Sequence, residues 1–351
     1  PLEPDTTARA PLLEGFGHLD WRIATDNAEA QRFFTQGVLQ AYAFNEKEAV
    51  RQFKAALAAD VRCAMCAWGV AWQLGPNINA PERGDLTEAR RYVIYALRHA
   101  DRASPRDRAL IEAMAVRYGE ARPADVRRDG PAAAGEVCRS GSSGGSGGTK
   151  ANPLDVTYAQ RLYALVQATP ADPDLLSLWS EAAMIATGED DWWNPDTGKP
   201  LPVIAEMVDR LERAQAQATN HTGLNHYLIH AADAPGGAAR AVAAADRLGA
   251  LAPASPHLVH MPSHTYAQVG RFEDARRVNA QAVEAEDALD ARQKAQGFSI
   301  SKDWRQHNIH FHWYGALMQG RGDEALGAAR KLATRAGTRD NEFAEYWRSL
   351  P

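Results

Sequence analysis

Residues 33–56 read FFTQGVLQAYAFNEKEAVRQFKAA. Large and small apolar residues recur here at helical spacing, with Phe33 four residues before Gly37 and Ala49 four residues before Phe53. Residues four apart lie on the same face of a helix. The pattern therefore predicts two consecutive helices that pack on each other through these large and small positions.

The same arrangement recurs farther along the chain at a fixed distance. Ala241 and Ala275 occupy the small position equivalent to Ala49, and they are 275 − 241 = 34 residues apart. A 34-residue repeat of paired helices is typical of tetratricopeptide repeats (TPR). The next equivalent alanine, Ala325, comes 325 − 275 = 50 residues later, which predicts an insertion at 287–301. The predicted fold is all-α, a TPR-like right-handed helical solenoid of paired antiparallel helices.

We predict four regions in the chain. They are an N-terminal extension at 1–29, TPR-like repeats at 30–120, a flexible segment at 121–153, and TPR-like repeats with a His-rich groove at 154–351. The flexible segment contains SGSSGGSGGT at 140–149, the composition of a synthetic linker, which suggests an engineered replacement of a native loop; a natural low-complexity loop is the alternative. Further helices are predicted at 86–100, 106–118, 154–167, 174–187 and 202–217.

The composition excludes several classes of protein. The net charge of −5 provides no basic surface for nucleic acid. No apolar run approaches the ~20 residues of a membrane helix, and three cysteines are too few for a disulfide scaffold. We therefore expect neither a nucleic-acid nor a membrane partner, and a cytoplasmic and a periplasmic location both remain open.

Seven histidines recur at three fixed distances before the repeat alanines. Eleven histidines in 351 residues would place fewer than one in these positions by chance. Three lie 15 residues before an alanine, two lie 11 before, and two lie 18 before: His226, His260 and His310; His230 and His264; His257 and His307.

These distances place the histidines on one stripe of the first helix of each repeat, the helix that faces the concave groove of a TPR array. Neighbouring helices pack ~8–10 Å apart, so imidazoles from adjacent helices can meet over one ion. The set predicts a transition-metal site of two ions, with copper favoured over zinc or iron. Asp233 lies on the same stripe and is a further ligand or an acceptor that orients a histidine. A groove for an acidic peptide, or simple packing, are the alternatives.

Other residues qualify this prediction. Pro262 lies between His260 and His264, so either the helix kinks there or it starts later. His312 falls on a packing position, and we expect most of His18, His99 and His221 at the surface.

The segment Cys63-Ala-Met-Cys66 offers three sulfur atoms. It is compatible with two small buried residues at a helix junction, with a disulfide, or with a soft-metal site.

Several motifs together resemble one family. These are CAMCAWG at 63–69, GPNINAP at 75–81, NHYLIH at 225–230, HLVHMPSH at 257–264 and HNIHF at 307–311. The chain resembles a group of bacterial TPR repeat-containing proteins over roughly residues 30–330. The resemblance implies a TPR solenoid and no settled reaction.

The function that we favour from the sequence is a metal-dependent oxidase or oxygenase that acts on a small molecule or peptide in the groove. Copper suits oxidation because it cycles between two redox states, and no HExxH motif of a zinc protease is present; a zinc hydrolase is the second choice. Glu181 and Tyr314 are the candidate catalytic residues. The alternative is a non-catalytic module that binds a peptide, a protein or metal.

Overall fold

The backbone is helical in a computed structural model, which describes residues 2–81, 85–120, 151–188, 192–298 and 304–336. Within these ranges, extended pairing is limited to two isolated bridges, Asn77 with Ala80 and Trp193 with Pro200. The predicted all-α class is therefore confirmed. The predicted linker at 140–149 lies outside the described residues.

The chain forms two units, 1–13 with 18–227 and 14–17 with 228–351. The first unit is a succession of TPR-like antiparallel helix pairs, joined mostly by short loops. Its described α-helices are α1 Ala28–Tyr42, α2 Glu46–Ala59, α3 Ala64–Gln73, α4 Thr87–Arg98, α5 Pro105–Arg117, α6 Pro153–Ala168, α7 Pro173–Thr187 and α8 Pro202–Gln215, with a 3₁₀ turn at Ala100–Arg102. Helix α9, Thr222–Ala231, begins in this unit and ends in the second.

The helices predicted from periodicity are all present, within a few residues of their expected bounds. Phe53 of α2 shows how the first three helices pack. Its fully buried ring lies against Gly37 of α1 and Gly69 of α3, where an added Cβ would come within 2.6 Å and 2.4 Å of the ring. Glycine is needed at both positions because the aromatic ring occupies the space that a side chain would fill.

The second unit continues the helix pairs. Its described helices are α10 Ala238–Leu251, α11 Pro256–His260, α12 Pro262–Gln268, α13 Phe272–Lys294, α14 Arg305–Met318 and α15 Gly322–Ala336. Helix α13 is 23 residues long, so the first part of the predicted insertion at 287–301 continues this helix as far as Lys294. Residues 299–303 lie outside the described ranges.

No helix in the described ranges is long and apolar enough to cross a membrane.

Candidate metal centre

Pro262 divides the helix that carries three of the predicted ligands. Helix α11 ends at His260 and α12 starts at Pro262. Proline has no N–H to donate to the preceding turn. The backbone hydrogen bonding nevertheless resumes directly after it, since the His264 N–H donates to the Met261 carbonyl at 3.2 Å. The helix is thus interrupted before Pro262, with His260 and His264 on either side of the interruption, and the kink stays a prediction.

His260, His264 and His307 form a compact triad. One ring nitrogen from each lies within 4.8 Å of the others. The Nε2 atoms of His260 and His264 are 3.0 Å apart, and the ring centroids of His260 and His307 are 4.6 Å apart. His307 reaches the triad from α14, so residues of three helices, α11, α12 and α14, meet at one point.

Hydrogen bonds on the far side of two rings assign their protons. Asn279 donates its Nδ2–H to the Ala275 carbonyl at 2.7 Å, which turns Oδ1 toward Nδ1 of His260 at 2.6 Å. Asp233 Oδ2 lies 2.8 Å from Nδ1 of His264. An amide oxygen and a carboxylate only accept, so Nδ1 carries the proton in both imidazoles. In the neutral rings both Nε2 atoms are therefore lone-pair acceptors, and these two face each other.

The surroundings favour the neutral form of two members of the triad, His260 and His307. Burial, followed by repulsion from His307 and His264, holds the pKa of His260 well below its usual 6.5. Burial, followed by the charges of His264 and His310, lowers the pKa of His307 to about 3. Burial alone would raise the pKa of Asp233, but the charge and hydrogen bond of His264 outweigh it and the pKa is lowered. Neutral imidazoles beside an ionised carboxylate are the forms that metal binding requires.

A pocket of about 530 Å³ adjoins the triad. Phe311 lies between the two, because its ring is 4.7–5.0 Å from all three imidazole rings and also lines the pocket. The lining residues are Asp233, His264, Ala267, Gln268, His310, Phe311, Trp313, Tyr314 and Leu317.

The remaining predicted ligands are placed differently. His310 lines the pocket, and burial lowers its pKa. His230 and His257 stack with ring centroids 6.0 Å apart, and His257 also packs on Trp304 at 5.3 Å. His226 belongs to the first unit, where its ring packs on Phe44 at 4.6 Å; it lies one turn before His230 on α9.

The two candidate catalytic residues lie in different units. Tyr314 lines the pocket and packs edge-on against Phe272. Glu181 is buried in the first unit, where it accepts a hydrogen bond from Trp72 Nε1 at 2.8 Å. Burial raises the pKa of Glu181 although that bond opposes the shift. The catalytic role of both residues stays a prediction.

The histidines outside the register only partly follow the prediction. His18 is exposed, whereas the side chain of His221 is 10% exposed and its Nε2 lies 3.0 Å from Asp174 Oδ1. His221 is therefore not at the surface, and its Nδ1 accepts the Leu224 N–H at the start of α9. His312 is half-buried, with Nε2 3.0 Å from Glu324.

Asn279 and Phe311 are parts of the site that the sequence reasoning missed. Asn279 follows Ala275 by four residues, as Phe53 follows Ala49. The equivalent position in another repeat holds a buried aromatic ring, so the carboxamide here was a signal that the sequence offered. Phe311 gave none, since an aromatic residue on a helix is most often part of the core.

Cys63 and Cys66 form a disulfide, one of the three alternatives for this segment. Both residues are buried at the start of α3, where the Cys66 N–H also donates to Cys63 Sγ.

Comparisons with known proteins give a distant structural similarity. No protein-family model and no curated protein matches the chain. It is similar to the solved structure of a human IFIT1 dimer with m7Gppp-AAAA, at 15% identity and a TM-score of 0.36, over 93% of this chain and 71% of that one. It is also similar to a monomeric IFIT1 mutant with Gppp-AAAA, at 14% identity and a TM-score of 0.34, over 93% and 73%. The predicted bacterial family and its shared motifs remain a prediction.

Proposed function

We propose that this protein binds a divalent transition-metal ion through His260, His264 and His307. The observation that carries the proposal is the distance of 3.0 Å between the Nε2 atoms of His260 and His264. Each is held from behind by a hydrogen-bond acceptor on the opposite ring nitrogen.

When both rings are neutral and carry their proton on Nδ1, the two Nε2 lone pairs repel each other at this distance, and a metal ion between them removes the repulsion. Imidazole nitrogens bind metal at about 2.0–2.1 Å, so two ligands of one ion are about 2.9 Å apart at a right angle and about 3.4 Å apart at the tetrahedral angle. The distance between the two Nε2 atoms lies within this span. His307, whose ring is next to His260, supplies the third nitrogen.

In this proposal Asp233 supports a ligand and does not bind the ion. The oxygen nearest the triad is used by the Nδ1–H of His264. A carboxylate behind a ligating histidine orients the ring and makes its free nitrogen a stronger donor. Asn279 has the same role behind His260.

Copper is the metal that we favour. Imidazole ligands suit copper, zinc, iron and nickel, and among divalent ions of the first row Cu²⁺ binds such sites most tightly. Zinc and iron are the alternatives. The second ion expected from the histidine register stays a prediction.

A binding module is the function best supported by the geometry, and an oxidase or oxygenase is the second candidate. The observation in favour of catalysis is that His264 belongs both to the triad and to the pocket wall. Three protein ligands leave a position open on the ion, and a small molecule or peptide side chain in the pocket would be next to it. A zinc ion there would favour hydrolysis instead. The expectation that the chain binds no nucleic acid remains untested.

Metal analysis of three proteins tests the proposal. The wild type, His264→Ala and the control His312→Ala are stripped with a chelator, reloaded with Cu²⁺, Zn²⁺ or Fe²⁺, and analysed for bound metal. We expect His264→Ala to lose one ion per chain relative to both other proteins. Equal metal content in all three proteins would refute the site. A wild type that binds no metal would leave peptide binding as the remaining candidate function. Oxygen consumption by the copper-loaded protein with candidate substrates would separate the oxidase from the module.

A further inference from the structure

The pocket beside the triad combines aromatic walls with access to one ligand. We infer that it binds a small molecule with a flat aromatic body and an anionic oxygen donor that coordinates the metal ion. This inference rests on the proposed metal site, and it adds the chemical class of the ligand.

The triad meets the pocket at His264. His260 is 1% exposed and Asn279 is fully buried, so the ion is closed off on that side. The side chain of His264 is 20% exposed, and this ring forms part of the pocket wall. A molecule that completes the coordination of the ion would therefore approach along His264 and past the ring of Phe311.

The walls favour a flat apolar body. Phe311, Trp313 and Tyr314 are three aromatic rings contributed by one turn of α14. Trp313 stacks on His310 with ring centroids 5.5 Å apart, which holds its plane in place. Aromatic rings attract another ring in offset or edge-on contact in addition to the burial of its area. The volume, about 530 Å³, is in the range of small-molecule sites.

The charges favour an anionic donor. Three neutral imidazoles with a divalent ion carry a charge of +2, and Asp233 reduces this by one. The residues described as lining the pocket include neither Lys nor Arg, so the ion would be the cation that an anionic group meets. Without the ion the balance reverses: aromatic rings and the Asp233 carboxylate would then favour an organic cation.

Two hydroxamates on cobalt-loaded protein separate the contribution of the pocket from that of the ion. Acetohydroxamate and benzohydroxamate have the same metal-binding group, and only the second has a ring. Visible absorption of bound Co²⁺ first reports whether the ion is held, and its change on titration gives the affinity of each compound. We expect benzohydroxamate to bind at least 10-fold more tightly than acetohydroxamate.

Tyr314→Ala tests the walls, with Met318→Ala as its matched control. Both residues are exposed near the end of α14, and only Tyr314 lines the pocket. We expect Tyr314→Ala to keep the cobalt spectrum and the affinity for acetohydroxamate while its preference for benzohydroxamate falls at least threefold. Met318→Ala should retain the wild-type preference.

The outcomes that overturn the inference are distinct from failure of the metal site. Equal affinities of cobalt-loaded wild type for the two hydroxamates would refute recognition of an aromatic body by the pocket, and the metal-site proposal would still stand. Tighter binding of phenethylammonium to metal-free protein than of benzohydroxamate to the loaded protein would assign the pocket to an organic cation. Absence of a cobalt spectrum would refute the proposed function and, with it, this inference.

Discussion

Asn279→Leu is the substitution that most directly tests how the triad is held. Asn279 is fully buried, and its Oδ1 accepts the Nδ1 proton of His260 at 2.6 Å. Leucine has a similar size but no acceptor, so the proton is no longer held at Nδ1. We expect it to move to Nε2 of His260, from where it is donated to Nε2 of His264. A metal ion must then displace this proton before it can bind.

The expected loss follows from this competition. Removal of the residue behind a ligating histidine typically weakens metal affinity 10–100-fold, equivalent to about 1.4–2.8 kcal/mol. Ser263 Oγ, 3.4 Å from Nδ1 of His260, can rotate to accept part of the lost hydrogen bond. We therefore expect about 10-fold weaker binding in Asn279→Leu alone and a larger loss when Ser263→Ala is added.

Competition with a coloured chelator measures the affinity for Zn²⁺ and Cu²⁺ in each variant. Asn279→Asp is the matched control, because a carboxylate keeps an acceptor at Nδ1, and its affinity should stay close to that of the wild type. Wild-type affinity in Asn279→Leu, or an equal loss in Asn279→Asp, would contradict the role of this hydrogen bond.

Three further predictions concern the helix packing and the buried charges. Gly37→Ala should destabilise the fold by about 1–3 kcal/mol in urea unfolding, since its Cβ would lie 2.6 Å from Phe53; unchanged stability would show that the ring moves freely. The free energy of unfolding of the metal-free protein should fall by up to about 2 kcal/mol between pH 7 and pH 5 through His307, because its pKa of about 3 in the folded chain means that only the unfolded chain takes up a proton in this range. The pH dependence of urea unfolding should therefore be weaker in His307→Gln, and an identical dependence would refute this assignment. Asp155→Ala should cost about 3–5 kcal/mol, because it leaves the guanidinium of Arg117, 1% exposed and 2.9 Å from Asp155, as an uncompensated buried charge; a thermal melt close to that of the wild type would contradict this.

The helices and their pairing were predictable from the sequence because they depend on local spacing. Phe33, Gly37, Ala49 and Phe53 recur at helical intervals, and the structure places each on the buried face of α1 or α2. Pro262 likewise predicted a break between two histidines. Such patterns are readable because a helix repeats every 3.6 residues whatever its neighbours are.

The metal centre was predicted only in outline. The register identified the histidines that share a helix stripe, but it treated all seven as equivalent. In the structure three of them form the triad, one lines the pocket, two stack on each other and the seventh, His226, packs on Phe44. The difference arises because the rings approach or separate by a few ångströms according to how α11, α12 and α14 pack.

By itself, the sequence determined the helices, their 34-residue repeat and the stripe of histidines. Only the tertiary structure decided which ring nitrogens meet and which of them carry protons. Asp233 was on the predicted stripe, but which histidine it contacts, 31 residues away, was not predictable, and Asn279, 19 residues from His260, was not identified at all. Hydrogen bonds between distant elements orient the imidazoles, and that orientation is the physical reason why His260 and His264 present two lone pairs to one point.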